Sequence, residues 1–149
     1  MNVSDIKNVA CVGGGVIGSS WAIQYALKGL HVTLYDINDQ QLAKSHDQML
    51  RSLDALVAHN AITAARKDEI IACVRPTTSM EEAVQDAQFI QESGPERIEI
   101  KRSILAQVEQ YAAPDALYAS STSGLLPGME LSMRDLLYCA LLQSANEAC

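Results

Sequence analysis

Residues 9–18 read VACVGGGVIG. A run of small apolar residues meets three adjacent glycines, and a fourth glycine stands at position 18. Glycine loses more backbone entropy on folding than any other residue, so such a cluster needs a compensating role. Gly13, Gly15 and Gly18 form the pattern G-x-G-x-x-G. At a strand-to-helix turn the first glycine permits the tight turn, the second lets a diphosphate approach the backbone, and the third lets helix and strand pack closely. The first helical residues, Val16 and Ile17, would then present N–H groups without intrahelical partners, at the positive end of the helix dipole.

The flanking sequence supplies the context this pattern requires. Residues 6–12 read as a buried strand. From Val16 the apolar spacing turns helical through Trp21, Ala22, Tyr25 and Ala26, and Gly29 stands where a helix-ending glycine belongs. HVTLYD (31–36) reads as a second strand, ending in Asp36, 21 residues after Gly15. A carboxylate there accepts hydrogen bonds from the adenosine ribose hydroxyls and repels a 2′-phosphate. No Arg or Lys follows in Ile37-Asn38, so NAD is expected over NADP. The plainer reading of the same residues is a glycine turn and an Asp that caps a helix.

The rest of the chain alternates in the same way. Asn38 or Asp39 caps a long helix to about Ala58, with Leu42, Met49, Leu50, Leu53 and Leu56 on its apolar side. Thr63 starts another helix, to about Cys73, and a short third strand covers 73–76. Ser79-Met-Glu-Glu82 is a capping box opening a brief helix through Val84. AQFIQE (87–92) reads as a strand, Gly94-Pro95 as a turn, and 96–112 as a helix turning Ile98, Ile100, Ile104, Leu105 and Val108 inward. Residues 115–121 form the fifth strand. The expected class is α/β: a doubly wound parallel sheet of Rossmann type, with five strands plus a C-terminal helix.

Composition narrows the function. The chain has 149 residues, 48% hydrophobic and 19% charged, which fits a soluble globular domain. A net charge of −7 argues against nucleic-acid or membrane partners, whose phosphates need clustered Lys and Arg. The N-terminus lacks a signal-peptide pattern, and no apolar run approaches a membrane span. Cys11, Cys73, Cys139 and Cys149 lack metal-ligand spacing, so reduced thiols in a cytoplasmic protein, and no metal, are expected.

Four stretches carry a family resemblance: VGGGVIGSSWA (12–22), VTLYDI (32–37), FIQESGPERIEIK (89–101) and ASSTSGLLP (119–127). Over 6–127 the chain resembles the NAD-binding domain of the 3-hydroxyacyl-CoA dehydrogenase family. IQESGPER and SSTSGLLP look most like its carnitine dehydrogenase branch, near gulonate dehydrogenase and lambda-crystallin. The resemblance implies an oxidoreductase that passes hydride from a 3-hydroxy group to NAD. It places the cofactor on the glycine loop, Asp36, Glu96 and Lys101. It also implies that Ser123 lies near both the nicotinamide and the substrate oxygen. Without it, Glu96 reads as a helix-terminus charge, Lys101 as a solvated one, and Ser120 to Ser123 as turn formers. In the hydroxyacyl-CoA branch a Ser and a Lys on the helix after the second strand contact CoA. Ser52 matches the first, but the second falls near His59, which favours a small hydroxy acid over a CoA ester.

The family's general base is a histidine some twenty residues beyond SSTSGLLP, with a glutamate later still. This chain has only His31, His46 and His59, and none carries that role over. His31 opens a strand; the other two read as surface residues on or just after the second helix. The expected domain is 1–127, followed by an off-pattern helical tail at 128–149. A C-terminal domain that would complete the pocket and a homodimer is not expected within this chain. LSMRDLLYCALLQSANEAC (131–149) resembles the serine D-alanyl-D-alanine carboxypeptidases around their S-x-N element, here Ser144-Ala145-Asn146. The S-x-x-K and K-T-G elements of that family are absent, so no peptidase activity follows. The alternative to a dehydrogenase is a nucleotide-binding module without turnover, with a carboxypeptidase fragment a remote third.

Overall fold

In a computed structural model, which describes residues 3–121, Asn8–Val12 forms the central strand β1. Its last four residues are buried because helices cover both faces, which is why the strand lacks polar alternation. There follow α1 (Val16–Leu27), β2 (His31–Tyr35), α2 (Asp39–Ala58), α3 (Ala64–Ala72), β3 (Val74–Thr77), α4 (Met80–Val84), β4 (Phe89–Glu92), α5 (Ile98–Tyr111) and β5 (Leu117–Ser120). A short 3-10 turn, Val3–Asp5, precedes β1. All strand pairings are parallel, in the order β3-β2-β1-β4-β5. On one face Val9, Cys11, Val32 and Leu34 pack under α1, α2 and α3. On the other, Ala10, Val12 and Ile90 meet α4 and α5.

Local chemistry sets most element ends. Asn38 caps α2, its side chain accepting from the Gln41 amide, and Thr63 caps α3 by accepting from Arg66. Gly29 follows α1 at φ +81°, as a helix-ending glycine should. Asn60 takes φ +56° just after α2, a conformation Asn tolerates better than most residues. Ser79 accepts from the Glu82 amide, but the expected box does not close on itself. The Ser79 amide donates instead to Thr77 Oγ1, and Thr77 donates to the Glu82 carboxylate. A strand-end hydroxyl has taken the reciprocal place.

Some limits shift. β1 begins at Asn8 and β4 at Phe89, and β3 runs through Thr77. α5 begins at Ile98 rather than 96. The Arg97 amide donates to Pro95 O at 2.7 Å and Arg97 itself is extended, so the turn consumes Glu96 and Arg97. Of the inward row expected on α5 only Val108 is buried; Ile98, Ile100, Ile104 and Leu105 are half-buried, as are Leu50 and Leu56 on α2. Ser123, the expected C-terminal helix and the tail 128–149 lie outside the described residues.

The chain runs outward from β1 through β2 to β3, then crosses back to β4 on the other side of β1. At such a switch point the loops leave in opposite directions and open a crevice at the carboxyl ends of the strands. The glycine loop follows β1 there, while Glu92 ends β4 and Ser93 follows it.

Candidate functional site

The four glycines of the loop meet four different surroundings. Gly13 has φ +100°, and a Cβ there would lie 2.8 Å from Ser93 O. Its amide donates to Tyr35 O at 2.9 Å. A Cβ on Gly18 would overlap the Gly13 carbonyl oxygen, and one on Gly14 would overlap Ser45 Oγ. Those three are glycine because the folded chain leaves no room. Gly15 differs. Its φ of −66° suits any residue, and no heavy atom lies within 4 Å of where its Cβ would be. The fold imposes no demand for glycine there, and the space above it is open. That is a cradle a side chain would fill, and it fits a dinucleotide's diphosphate.

The Gly14 peptide is held from both ends. Its N–H donates to Asp36 Oδ2 at 2.9 Å, while Asp36 Oδ1 accepts from the Ile37 amide at 2.7 Å. Its carbonyl accepts from Ser19 Oγ at 2.9 Å and from Ser45 Oγ at 2.5 Å. Both serines are buried. The loop is thus fixed from α1, from α2 and from the end of β2 before any ligand arrives. Of the expected site residues Asp36 lies beside the loop, while Ser19 and Ser45 are not among those the sequence singles out. A signal for Ser45 existed: it interrupts the buried stripe Leu42, Ser45, Met49, Leu53, where a polar residue needs a partner. Beside the loop Val16, Ile17 and Ile37 leave 68%, 56% and 72% of their surface in solvent.

The opposite wall is built on β4. Glu92 has no exposed surface, and its carboxylate accepts from Gly94 N, Lys101 Nζ and Ser120 Oγ. Lys101 is therefore not a solvated helix charge. Its Nζ lies 3.1 Å from each Glu92 oxygen and 3.6 Å from Glu96 Oε2. Glu96 sits in the turn before α5, not in its first turn. On the other face of β4, buried Gln91 donates to Ser121 Oγ at 2.8 Å and accepts from the Tyr25 hydroxyl at 3.3 Å. Ser121 lies 3.2 Å from Ser93 Oγ. Burial pushes the Cys11 thiol up to about 12. Burial, and then the charge of Cys11, push the Tyr25 hydroxyl up.

The histidines stand elsewhere. His31 pairs in register with Asn8 at the amino ends of the strands, opposite the crevice. His46 lines a cavity of about 460 Å³ with Asp39, Leu42, Thr77 and Thr78, beside the outer strand β3. His59 follows the last residue of α2, and Ser52 lies on an exposed part of that helix. All three histidines are exposed. Among the described residues no group of three His, Cys, Asp or Glu could hold a metal.

Residues 8–133 match the family described as 3-hydroxyacyl-CoA dehydrogenase, NAD binding domain. The chain belongs to that family. NAD is the cofactor of this domain. An L-carnitine dehydrogenase/betainyl-CoA thioesterase from Rhizobium sp is 40% identical over 125 residues, covering 84% of this chain and 24% of that protein. An L-carnitine dehydrogenase from Pseudomonas sp is 41% identical over 130 residues, covering 84% of this chain and 38% of that one. The crystal structure of (S)-3-hydroxybutyryl-CoA dehydrogenase from Ralstonia eutropha superposes with a TM-score of 0.78 at 29% identity, covering 81% of this chain and 42% of that one. The chain thus spans 24% to 38% of the length of these curated relatives.

Proposed function

We propose that this chain holds NAD for hydride exchange with carbon 3 of a 3-hydroxy acid or a 3-hydroxyacyl-CoA. The observation that carries the reading is the open space at Gly15, framed by a loop already fixed through Asp36, Ser19 and Ser45. Gly13, Gly15 and Gly18 shape the diphosphate site, and the first-turn amides of Val16 and Ile17 face it with the helix dipole behind them. Asp36 accepts from the adenosine ribose hydroxyls. Its charge opposes a 2′-phosphate, and neither Ile37 nor Asn38 offsets that charge. Glu96 and Lys101 serve the nicotinamide half from the β4 wall. When bound, NAD supplies the hydride acceptor.

Ser123 would hydrogen-bond the reacting oxygen as charge shifts during transfer. The substrate hydroxyl must also lose its proton. None of the three histidines stands at the crevice, so the proton acceptor belongs to residues beyond those described. The same positions favour a second reading, in which this chain binds the nucleotide without turnover. A lysine at position 59 would favour CoA; histidine there favours a small, carnitine-like hydroxy acid. We place the protein in the cytoplasm, with Cys11 and Cys73 as free thiols. Among the described residues no helix is long and apolar enough to cross a membrane.

Calorimetric titration tests the reading. NADH should bind saturably and at least ~10-fold more tightly than NADPH. Absence of NADH binding, or equal affinities, refutes it. NADH production from carnitine or 3-hydroxybutyryl-CoA by this chain alone would dismiss the second reading.

A further inference from the structure

Glu92 is the one fully buried carboxylate among the described residues. An ionised carboxylate inside a protein is costly unless it is paired and its oxygens are hydrogen-bonded. Here both conditions hold. Oε1 accepts from Gly94 N at 2.5 Å and from Lys101 Nζ at 3.1 Å. Oε2 accepts from Lys101 Nζ at 3.1 Å and from Ser120 Oγ. The carboxylate therefore joins three separate pieces of chain: the turn after β4, the first turns of α5, and the end of β5. Gly94 is small for the same reason, since a Cβ there would lie 3.0 Å from Glu92 Oε1 and 2.9 Å from Ile104 Cδ1.

An apolar residue would close β4 without that cost. What the carboxylate adds is a fixed place for a cation. Lysine carries its charge on a flexible four-carbon stem, and an isolated lysine samples many rotamers. The grip of both Glu92 oxygens selects one, leaving Lys101 17% exposed and turned toward Glu96. We infer that Glu92 is a positioning residue for the cofactor: it acts through Lys101, setting the Lys101–Glu96 pair along the β4 wall of the crevice. It also anchors Ser120, three residues before Ser123. This rests on the proposal that Lys101 and Glu96 serve NAD.

The test is a double-mutant cycle read by NADH titration of this chain, with thermal melts alongside. Glu92→Gln keeps the side chain's size and its acceptor toward Gly94 but removes the charge that holds Lys101. It should weaken NADH binding at least ~10-fold. Lys101→Met should weaken it by a similar factor. The double variant should bind no more weakly than Lys101→Met, within about twofold, because Glu92 acts through the lysine. A merely structural role predicts instead that the two losses multiply, and that result overturns the inference. So does a Glu92→Gln or Lys101→Met chain with wild-type affinity. If Glu92→Gln does not fold, Glu92→Asp serves: the charge stays but withdraws by one methylene, and unchanged NADH affinity would again overturn the inference. Wild-type chain that binds no NADH overturns the proposed function together with this role. Wild-type binding with an unaffected Glu92→Gln overturns the positioning role alone.

Discussion

Gly15→Ala separates what the fold needs from what the ligand needs. The substitution places a methyl group in open space, with no heavy atom within 4 Å. At φ −66° and ψ −166° alanine is not strained. Removing a glycine from the unfolded chain stabilises by ~0.4–1 kcal/mol. Gly15 is also the residue preceding the first turn of α1, where glycine is preferred to alanine by roughly 0.5–1 kcal/mol. The two terms nearly cancel, so the melting temperature should stay within about 3 °C of wild type. Gly18→Ala is the contrast. Alanine gains ~1 kcal/mol of helix propensity there. Its Cβ would overlap the Gly13 carbonyl oxygen, a backbone atom that cannot rotate away. Overpacking of that kind costs ~1–3 kcal/mol or more, so the net effect is a clear drop in melting temperature. NADH titration should reverse the apparent severity for Gly15→Ala. The stable variant should lose at least ~10-fold in affinity, because its methyl takes the place proposed for the diphosphate. Calorimetry and a thermal melt on the same samples decide it. Wild-type NADH affinity in Gly15→Ala, or a loss of stability as large as in Gly18→Ala, would refute the reasoning.

Asp36→Ala should weaken NADH ~10-fold while weakening NADPH at most ~3-fold, since the Gly14 amide loses its partner for either ligand but only NADH loses the proposed contact to the ribose 2′-hydroxyl. Equal losses would contradict the ribose role. Ser45→Ala removes one of two hydroxyls on the Gly14 carbonyl and should lower stability by ~0.5–1.5 kcal/mol in urea, with an unchanged slope; no loss would show that Ser19 suffices. Cys11 ionises near its ordinary value of 9.0 in the unfolded chain but only at about 12 when folded. Above pH 9 the unfolded state therefore binds fewer protons, and stability falls as pH rises toward 12, by up to ~1.4 kcal/mol per unit for this group. Tyr25 and Tyr35, also pushed up by burial, add in the same direction at higher pH. Urea unfolding at pH 8 and pH 10 should show a smaller drop in Cys11→Ala than in wild type, and equal drops would assign the effect elsewhere.

Legibility followed the range of each signal. The glycine turn, the second strand leading into Asp36 and the caps at Asn38 and Thr63 are each written within a few neighbouring residues and take the expected form; Ser79 caps its helix, but without the reciprocal half of the box. Alternating strands and helices gave the five parallel strands, and the loop residues carried the family. The start of α5 was misplaced because Glu96 favours a helix N-terminus by charge, whereas the Pro95–Arg97 hydrogen bond keeps it in the turn. The capping box does not close on itself because Thr77, one residue past the expected end of the third strand, takes the Glu82 carboxylate and the Ser79 amide.

The sequence by itself determined the sheet, the glycine loop and the acidic residue beside it, because period, turn chemistry and spacing act over short stretches of backbone. Only the tertiary structure decided that Ser45 reaches back 31 residues to the Gly14 carbonyl, and that Ser120 and Lys101 converge on Glu92. Such bonds depend on which helices and strand ends pack side by side. A hydrogen bond formed across that packing leaves no periodic trace in either of the segments it joins.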